Sequence, residues 1–179
     1  MTDQAVLRAA GPDDAAAIDA LMKQSGAALF PAFYDERQTA SAVRYVAQAD
    51  PTLLDDGTYF VLEADGELVG CGGWSRRDRL YTGSGDSEDD GRLLDPATEP
   101  AKVRAMFVRG DWTRRGLGRR IIDECERAAR AEGFSRLALL ATLPGVPLYS
   151  ACGFVAGEKI EVALEDGVTL ACVAMDKPI

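Results

Sequence analysis

The sequence predicts an α/β fold built around a mixed sheet, and three observations carry that reading. Two pairs of β-prone runs each turn at an Asp-Gly dipeptide, Asp65-Gly66 and Asp166-Gly167, a strong short-range hairpin signal. From Lys102 to Thr142 the order is strand, helix, strand, the crossover that connects neighbours in an α/β sheet. Two N-terminal segments carry helix-start chemistry instead.

Taken in order, "AVLRAA" reads as a first strand. "GPDDAAAIDALMKQSG" follows as a helix, with Pro12 suited to the first turn, Asp13 and Asp14 at the positive dipole end, and Gly26 as the expected stop. "DERQTASAVRYVAQAD" reads as a second helix closed by Pro51, after an aromatic-rich loop, "AALFPAFY". The hairpin "GTYFVLEADGELVGCGGWS" precedes a long polar excursion, "RRDRLYTGSGDSEDDGRLLDPATEP". "AKVRAMFVR" is the next strand. From Gly116 the apolar residues Leu117, Ile121, Ile122, Cys125 and Ala128 recur at helical spacing, and Gly133 ends that helix. "SRLALLAT" is apolar on both faces, as a central strand requires. "PGVPLYSACGF" reads as a short helix with a turn, and "VAGEKIEVALEDGVTLACVAMDK" as the closing hairpin.

At 179 residues, 47% apolar and 27% charged, the chain is expected to form one domain over residues 1–179 with a full core. The start lacks a basic segment followed by an apolar run, and no stretch approaches the ~20 apolar residues of a membrane helix. A cytoplasmic location is the expectation. Cys71, Cys125, Cys152 and Cys172 are far apart and are expected to be reduced, buried thiols. The chain contains no histidine, which removes the Ser-His-Asp triad and most zinc sites, and no metal is expected.

Charge is uneven. Ten basic and five acidic residues lie between Lys102 and Arg136, whereas the chain as a whole carries −9. The acidic remainder disfavours nucleic acid, and the basic segment suggests a small anionic ligand. Within it, "GDWTRR" leads from a strand into the helix "GLGRRIIDECERAARAEG". A helix N-terminus offers unpaired N–H groups and roughly +0.5 of a charge. Gly116 and Gly118 let phosphates approach the backbone, and Arg114, Arg115, Arg119 and Arg120 add charge, so the expected ligand carries a pyrophosphate. Neither a GxxxxGK[ST] loop nor a GxGxxG fingerprint is present. Asp86, Glu88, Asp90 and Gly91 fall at calcium-loop positions, but Ala97 stands where a bidentate Glu is needed, so a solvated loop is the better reading.

These residues resemble the core of the GNAT superfamily of N-acetyltransferases. Its acyl-CoA signature, Q/R-x-x-G-x-G/A, is matched by Thr113-Arg114-Arg115-Gly116-Leu117-Gly118, with Thr113 in place of Gln or Arg. A second signature, YxxxGF, is matched by Tyr149-Ser150-Ala151-Cys152-Gly153-Phe154, with Thr142 where an Asn often precedes it. The two stand in the family's order, one helix and one strand apart. The resemblance implies a largely antiparallel sheet of six to seven strands with a central splayed strand and about four helices. It also implies acetyl-CoA as cosubstrate, held by Phe107, Val108, Arg114, Arg115, Gly116, Leu117, Gly118 and Arg119.

In the implied reaction a neutral amine attacks the thioester carbonyl. A backbone N–H at Phe107 or Val108 polarises the oxygen, and Tyr149 protonates the departing thiolate. Because a thiol titrates at about 8.5 and a phenol at about 10, Tyr149 should assist without being indispensable. A base or water relay is wanted; Glu63, Asp78 and Tyr81 are possible and the sequence does not choose. Trp74, Phe30, Phe33 and Tyr34 could line the acceptor site or simply pack the core. Partners implied are a small-molecule or peptide amine, with no nucleic acid, no membrane and room for a homodimer. Two other readings stay open: a non-catalytic acyl-CoA sensor, and a transferase of a longer acyl group.

Overall fold

The computed structural model describes residues 4–79 and 91–179. Seven strands and five helices are described: β1 (Val6–Ala9), α1 (Ala15–Leu29), α2 (Glu36–Tyr45), α3 (Pro51–Asp55), β2 (Tyr59–Ala64), β3 (Glu67–Ser75) and β4 (Ala101–Val108), then α4 (Leu117–Ala131), β5 (Arg136–Thr142), α5 (Val146–Ala151), β6 (Val155–Ala163) and β7 (Thr169–Pro178). The strands form one sheet in the order β1-β2-β3-β4-β5-β7-β6. Every neighbouring pair is antiparallel except β4 and β5. The mixed, largely antiparallel sheet expected from the sequence is therefore present, with one helix more.

That extra helix corrects the reading of Pro51. The second helix stops at Tyr45, and Pro51 opens α3, with the Asp50 carboxylate accepting the Thr52 N–H at 2.9 Å. Proline lacks only a donor that the first turn leaves unused anyway. Gly26 likewise does not stop α1, which runs through it to Leu29. A Cβ there would sit 3.1 Å from the Phe30 ring and 3.2 Å from Val43, so the glycine serves close packing of α1. α2 starts as a capping box, Asp35 accepting the Gln38 N–H while the Gln38 side chain accepts the Asp35 N–H.

Helices cover both faces of the sheet. On one, α1, α2, α3 and the turn after α1 bury Ile18, Met22, Ala42, Leu53 and Phe30 against Val61, Cys71, Phe107 and Leu170. On the other, α4 buries Ile121, Ile122 and Cys125 against Leu62, Val103, Leu137 and Trp74. Ile121 and Ile122 are fully enclosed, and truncating either to Ala is expected to cost ~2–5 kcal/mol. All four cysteines are buried and unpaired. Among the described residues no helix is long and apolar enough to cross a membrane.

What positions the site is the middle of the sheet. β4 meets β5 only at Ala101–Leu137 and Lys102–Ala138, while β5 pairs along its whole length with β7. Beyond Lys102 the two strands part. β4 is also bulged against β3: Ala105 and Met106 stand opposite Gly72 alone, and Ala105 sits at φ +51°, a left-handed conformation that costs a non-glycine residue ~1–2 kcal/mol.

Candidate active site

Two buried side chains hold this stretch of β4 in place. The Tyr59 hydroxyl, buried on β2, donates to the Ala105 carbonyl at 2.6 Å, and the buried Ser25 hydroxyl of α1 donates to the Val108 carbonyl at 2.6 Å. Both carbonyls belong to the stretch of β4 that has no β5 ladder. The N–H of Arg109 donates to Val69 on β3 at 3.0 Å. By strand alternation Phe107 also turns its polar groups toward β3, and Val108 turns its own toward the parted side. Gly72 completes the fit, since a Cβ there would lie 2.8 Å from the Met106 sulfur. Behind the bulge the buried Arg104 guanidinium donates to Asp50 at 2.8 Å, and Arg79 lies 3.9 Å from the same carboxylate. Burial lowers the pKa of Arg104 despite this partner. The sequence offered no signal that this arginine would be internal.

From β4 the chain enters the basic loop. Gly116 is the N-cap of α4 at φ +78°, and Arg114 is also left-handed at φ +63°. No side chain caps the helix, and its first internal bond runs from the Arg120 N–H to the Gly116 carbonyl, leaving the N–H groups of Leu117, Gly118 and Arg119 without helical partners. A Cβ at Gly116 would meet open space; it is the backbone angle that demands glycine. Gly118 has a different reason. A Cβ there would lie 2.5 Å from Leu148, so this glycine lets α4 approach α5, the helix that carries Tyr149. The structure thus puts packing where the sequence suggested room for phosphate.

The arginines divide similarly. Arg119 donates to the Ala151 carbonyl at 2.7 Å and Arg120 to the Ala5 carbonyl at 2.8 Å. Arg115 stacks on Trp112 at 4.4 Å. Arg114 is exposed and makes no hydrogen bond or ion pair among the described residues. Thr113 turns its hydroxyl back to the Gly110 carbonyl at 3.3 Å, bracing the short turn before the helix.

Tyr149 is buried, packs edge-to-face on Phe154 at 5.8 Å, and has no hydrogen-bond partner for its hydroxyl among the described residues. Gly145 makes room for its ring, as a Cβ there would come within 2.8 Å. Burial pushes its pKa well above the ordinary phenol value, so it stays protonated at neutral pH. The tyrosine lines a cavity of about 80 Å³ where β4 and β5 part, together with Ala105, Phe107 and Thr142. That volume is several times what one water requires.

None of the described base candidates reaches this cavity. Glu63 pairs with Arg8 at the sheet edge and Asp78 with Arg92 at 3.1 Å. Tyr81, like Asp86, Glu88 and Asp90, lies outside the described residues. Of the aromatics, Trp74 and Phe30 are core and Phe33 is half exposed. Tyr34 bridges, donating to the Ala171 carbonyl at 2.8 Å and accepting the Leu143 N–H at 2.9 Å. The residues that do form the far wall, Val46, Leu140, Val162, Leu170 and Cys172, were not expected as site residues. They are ordinary apolar positions until the fold brings them together.

A strand that leaves its neighbour, an uncapped glycine-hinged helix start beside it and a buried phenol across the gap define an acyl-transfer class of fold. Residues 22–154 match the family model described as acetyltransferase (GNAT) family, and the chain belongs to that family of acyltransferases. A search of curated protein sequences returned no match. Among solved structures, the chain is similar to the GCN5-related N-acetyltransferase (aminotransferase, class-II) from Rhodopseudomonas palustris, at 22% identity and TM-score 0.76, covering 100% of this chain and 98% of that one. It is also similar to the PaiA N-acetyltransferase from Thermoplasma acidophilum, solved with coenzyme A, at 14% identity and TM-score 0.69 over 100% of both chains. YncA from Salmonella typhimurium, solved with acetyl-CoA, aligns at 17% identity and TM-score 0.63, covering 98% and 94% respectively. At these identities the likeness is one of fold.

Proposed function

We propose that residues 1–179 form one acetyltransferase domain that moves the acetyl group of acetyl-CoA to a primary amine by direct attack. The juxtaposition of the uncapped α4 N-terminus, the parted edge of β4 and the Tyr149 hydroxyl, unpartnered among the described residues, carries this reading. The pyrophosphate is held by the N–H groups of Leu117, Gly118 and Arg119, with the exposed Arg114 cation beside them. Gly116 provides the left-handed turn, and Arg115, stacked on Trp112, flanks the cradle. The pantetheine arm runs along the free edge of β4. There the Val108 N–H, aimed at the gap, stabilises the oxygen of the tetrahedral intermediate. Phe107 contributes the wall rather than the donor.

Attack by the amine nitrogen forms the C–N bond, and collapse of the intermediate breaks the C–S bond. Tyr149 gives its proton to the leaving sulfur. Since a thiol near ~8.5 is a fair leaving group, that proton transfer assists the step and does not govern it. The test is turnover: acetyl-CoA with a panel of primary amines should release free thiol in an amine-dependent way. Tight CoA binding without thiol release for any amine would establish the sensor reading in its place.

A further inference from the structure

The sheet ends differently at its two edges. β1 is four residues long, and its Arg8 is occupied by Asp14 and Glu63. β6 runs for nine residues, and among the described residues it pairs with β7 alone. An edge of that length presents unpaired main-chain groups to any strand of matching register. Which residues present them follows from the hairpin. The Leu164 N–H donates to the Val168 carbonyl at 2.8 Å, and at alternate steps from there Val162 and Ile160 turn their polar groups to β7. Ala163, Glu161 and Lys159 therefore turn theirs outward. Ala171, opposite Glu161, fixes the same phase, because its carbonyl is taken by Tyr34, which also meets Leu143 beyond β5.

Charge follows the same alternation. Ile160 and Val162 pack with the α1–α3 layer, so Lys159 and Glu161 stand together on the opposite face, both exposed. Neither forms an ion pair among the described residues. Two copies of this edge can meet only with outward-turned residues opposite one another, in registers centred on Lys159, Ile160 or Glu161. A two-fold axis at Lys159 sets that lysine against itself, and one at Glu161 sets two carboxylates face to face. An axis at Ile160 instead sets each Lys159 opposite Glu161 of the other copy, with the half-buried Ile160 side chains meeting on the far face. An edge protected by repulsion would carry one sign of charge, whereas this one is self-complementary in a single register.

We infer that a second copy of this chain adds to β6, antiparallel about a two-fold axis at Ile160, so that the two sheets become one. Each Lys159–Glu161 pair exchanges two main-chain hydrogen bonds beneath its side-chain ion pair. The register shift between Ala156 and Lys159 ends the ladder on one side. Because the same patch serves both copies, the assembly closes at two. So short a ladder falls below the ~1,200 Å² of a stable complex, which sets the dissociation constant in the micromolar range. The interface uses no residue assigned to CoA or to proton transfer.

Sedimentation equilibrium of the full chain from about 1 to about 100 µM should show the average mass rising from 19.1 kDa toward twice that value. Lys159→Glu sets carboxylates against one another at both pairs, and Glu161→Lys does the same with ammonium groups. Each should weaken the dimer at least tenfold. Both side chains are exposed, so the melting temperatures should stay at the parent's. Mixed in equal amounts, the two variants regain opposite charges at both pairs and should associate as tightly as the parent. The double reversal in one chain should dimerise as the parent does. A parent that is monomeric at about 100 µM, a dimer indifferent to either single reversal, or a mixture that fails to associate would overturn the inference.

Discussion

The loop from Gly110 to Gly118 and the cavity beside Tyr149 are built on opposite principles. The loop works through its backbone: two left-handed residues and an uncapped helix start, while Arg119 and Arg120 just beyond it brace the Ala151 and Ala5 carbonyls. The cavity works through side chains, drawn from α2, β4, β5, β6 and β7 and almost all apolar. A phosphate can be held by N–H groups that every sequence possesses, provided glycines shape the turn. An apolar cavity is specified only by which side chains happen to converge. The first demand leaves a short motif, whereas the second leaves no local trace.

Disrupting the loop should give the largest effect. Gly116→Glu places a carboxylate at the proposed phosphate position and should weaken CoA binding at least a hundredfold by calorimetry, about 3 kcal/mol. Gly116→Ala carries the left-handed strain of ~1–2 kcal/mol without the charge, and should lower the melting temperature while costing far less affinity. If the two variants lose equal CoA affinity, the loop acts by shape alone.

The bulge between the two regions comes next. Tyr59→Phe leaves the Ala105 carbonyl unsatisfied, a loss of ~1–3 kcal/mol. Because that bond aims the strand edge, kcat should fall about tenfold with the KM for acetyl-CoA nearly unchanged; a fall in thermal stability with kcat intact would make Tyr59 a packing residue only. On the cavity side, Tyr149→Phe removes the donor but not the ring. Turnover should drop by about tenfold, at the low end for acid catalysis because the leaving thiol is already good. CoA affinity should stay within twofold, and equal losses in both would assign Tyr149 to packing.

A control far from either region has the smallest effect. The Asp14 carboxylate, hydrogen-bonded by Arg8 and by the Gly11 N–H, is held down to about 2. A depressed carboxylate contributes stability above its unfolded value of about 4, and that contribution disappears as pH falls through 2. Solvent screening at this exposed pair limits it to about 1 kcal/mol. Asp14→Asn should therefore melt lower at pH 7 and match the parent at pH 2, with the same kcat at neutral pH.

The sequence disclosed the order of strands and helices, both hairpin turns and the loop, because glycine, proline and alternating apolar residues are local signals. It misjudged Gly26 and Pro51 for one reason. A glycine inside a helix that packs closely looks like a stop, and a proline that starts a helix looks like the end of the one before. Arg104 reads as a strand-surface cation, yet it is buried against Asp50, 54 positions away in the chain. Tyr59 reads as one more β-strand aromatic, and only the bulge opposite gives its hydroxyl a task. The far wall, from Val46 to Cys172, spans most of the chain and was invisible for the same reason.

Tyr34 has a consequence for how such an enzyme could diversify. Tyr34, in the turn after α1, ties Ala171 on β7 to Leu143 just beyond β5, next to the cavity-lining residues Thr142, Leu170 and Cys172. Neither Ala171 nor Leu143, nor Tyr34 itself, belongs to the loop that opens α4. Changes around Tyr34 would reshape the cavity while leaving the loop that opens α4 intact. New acceptor preferences could thus arise by a few apolar exchanges along one inherited cofactor scaffold.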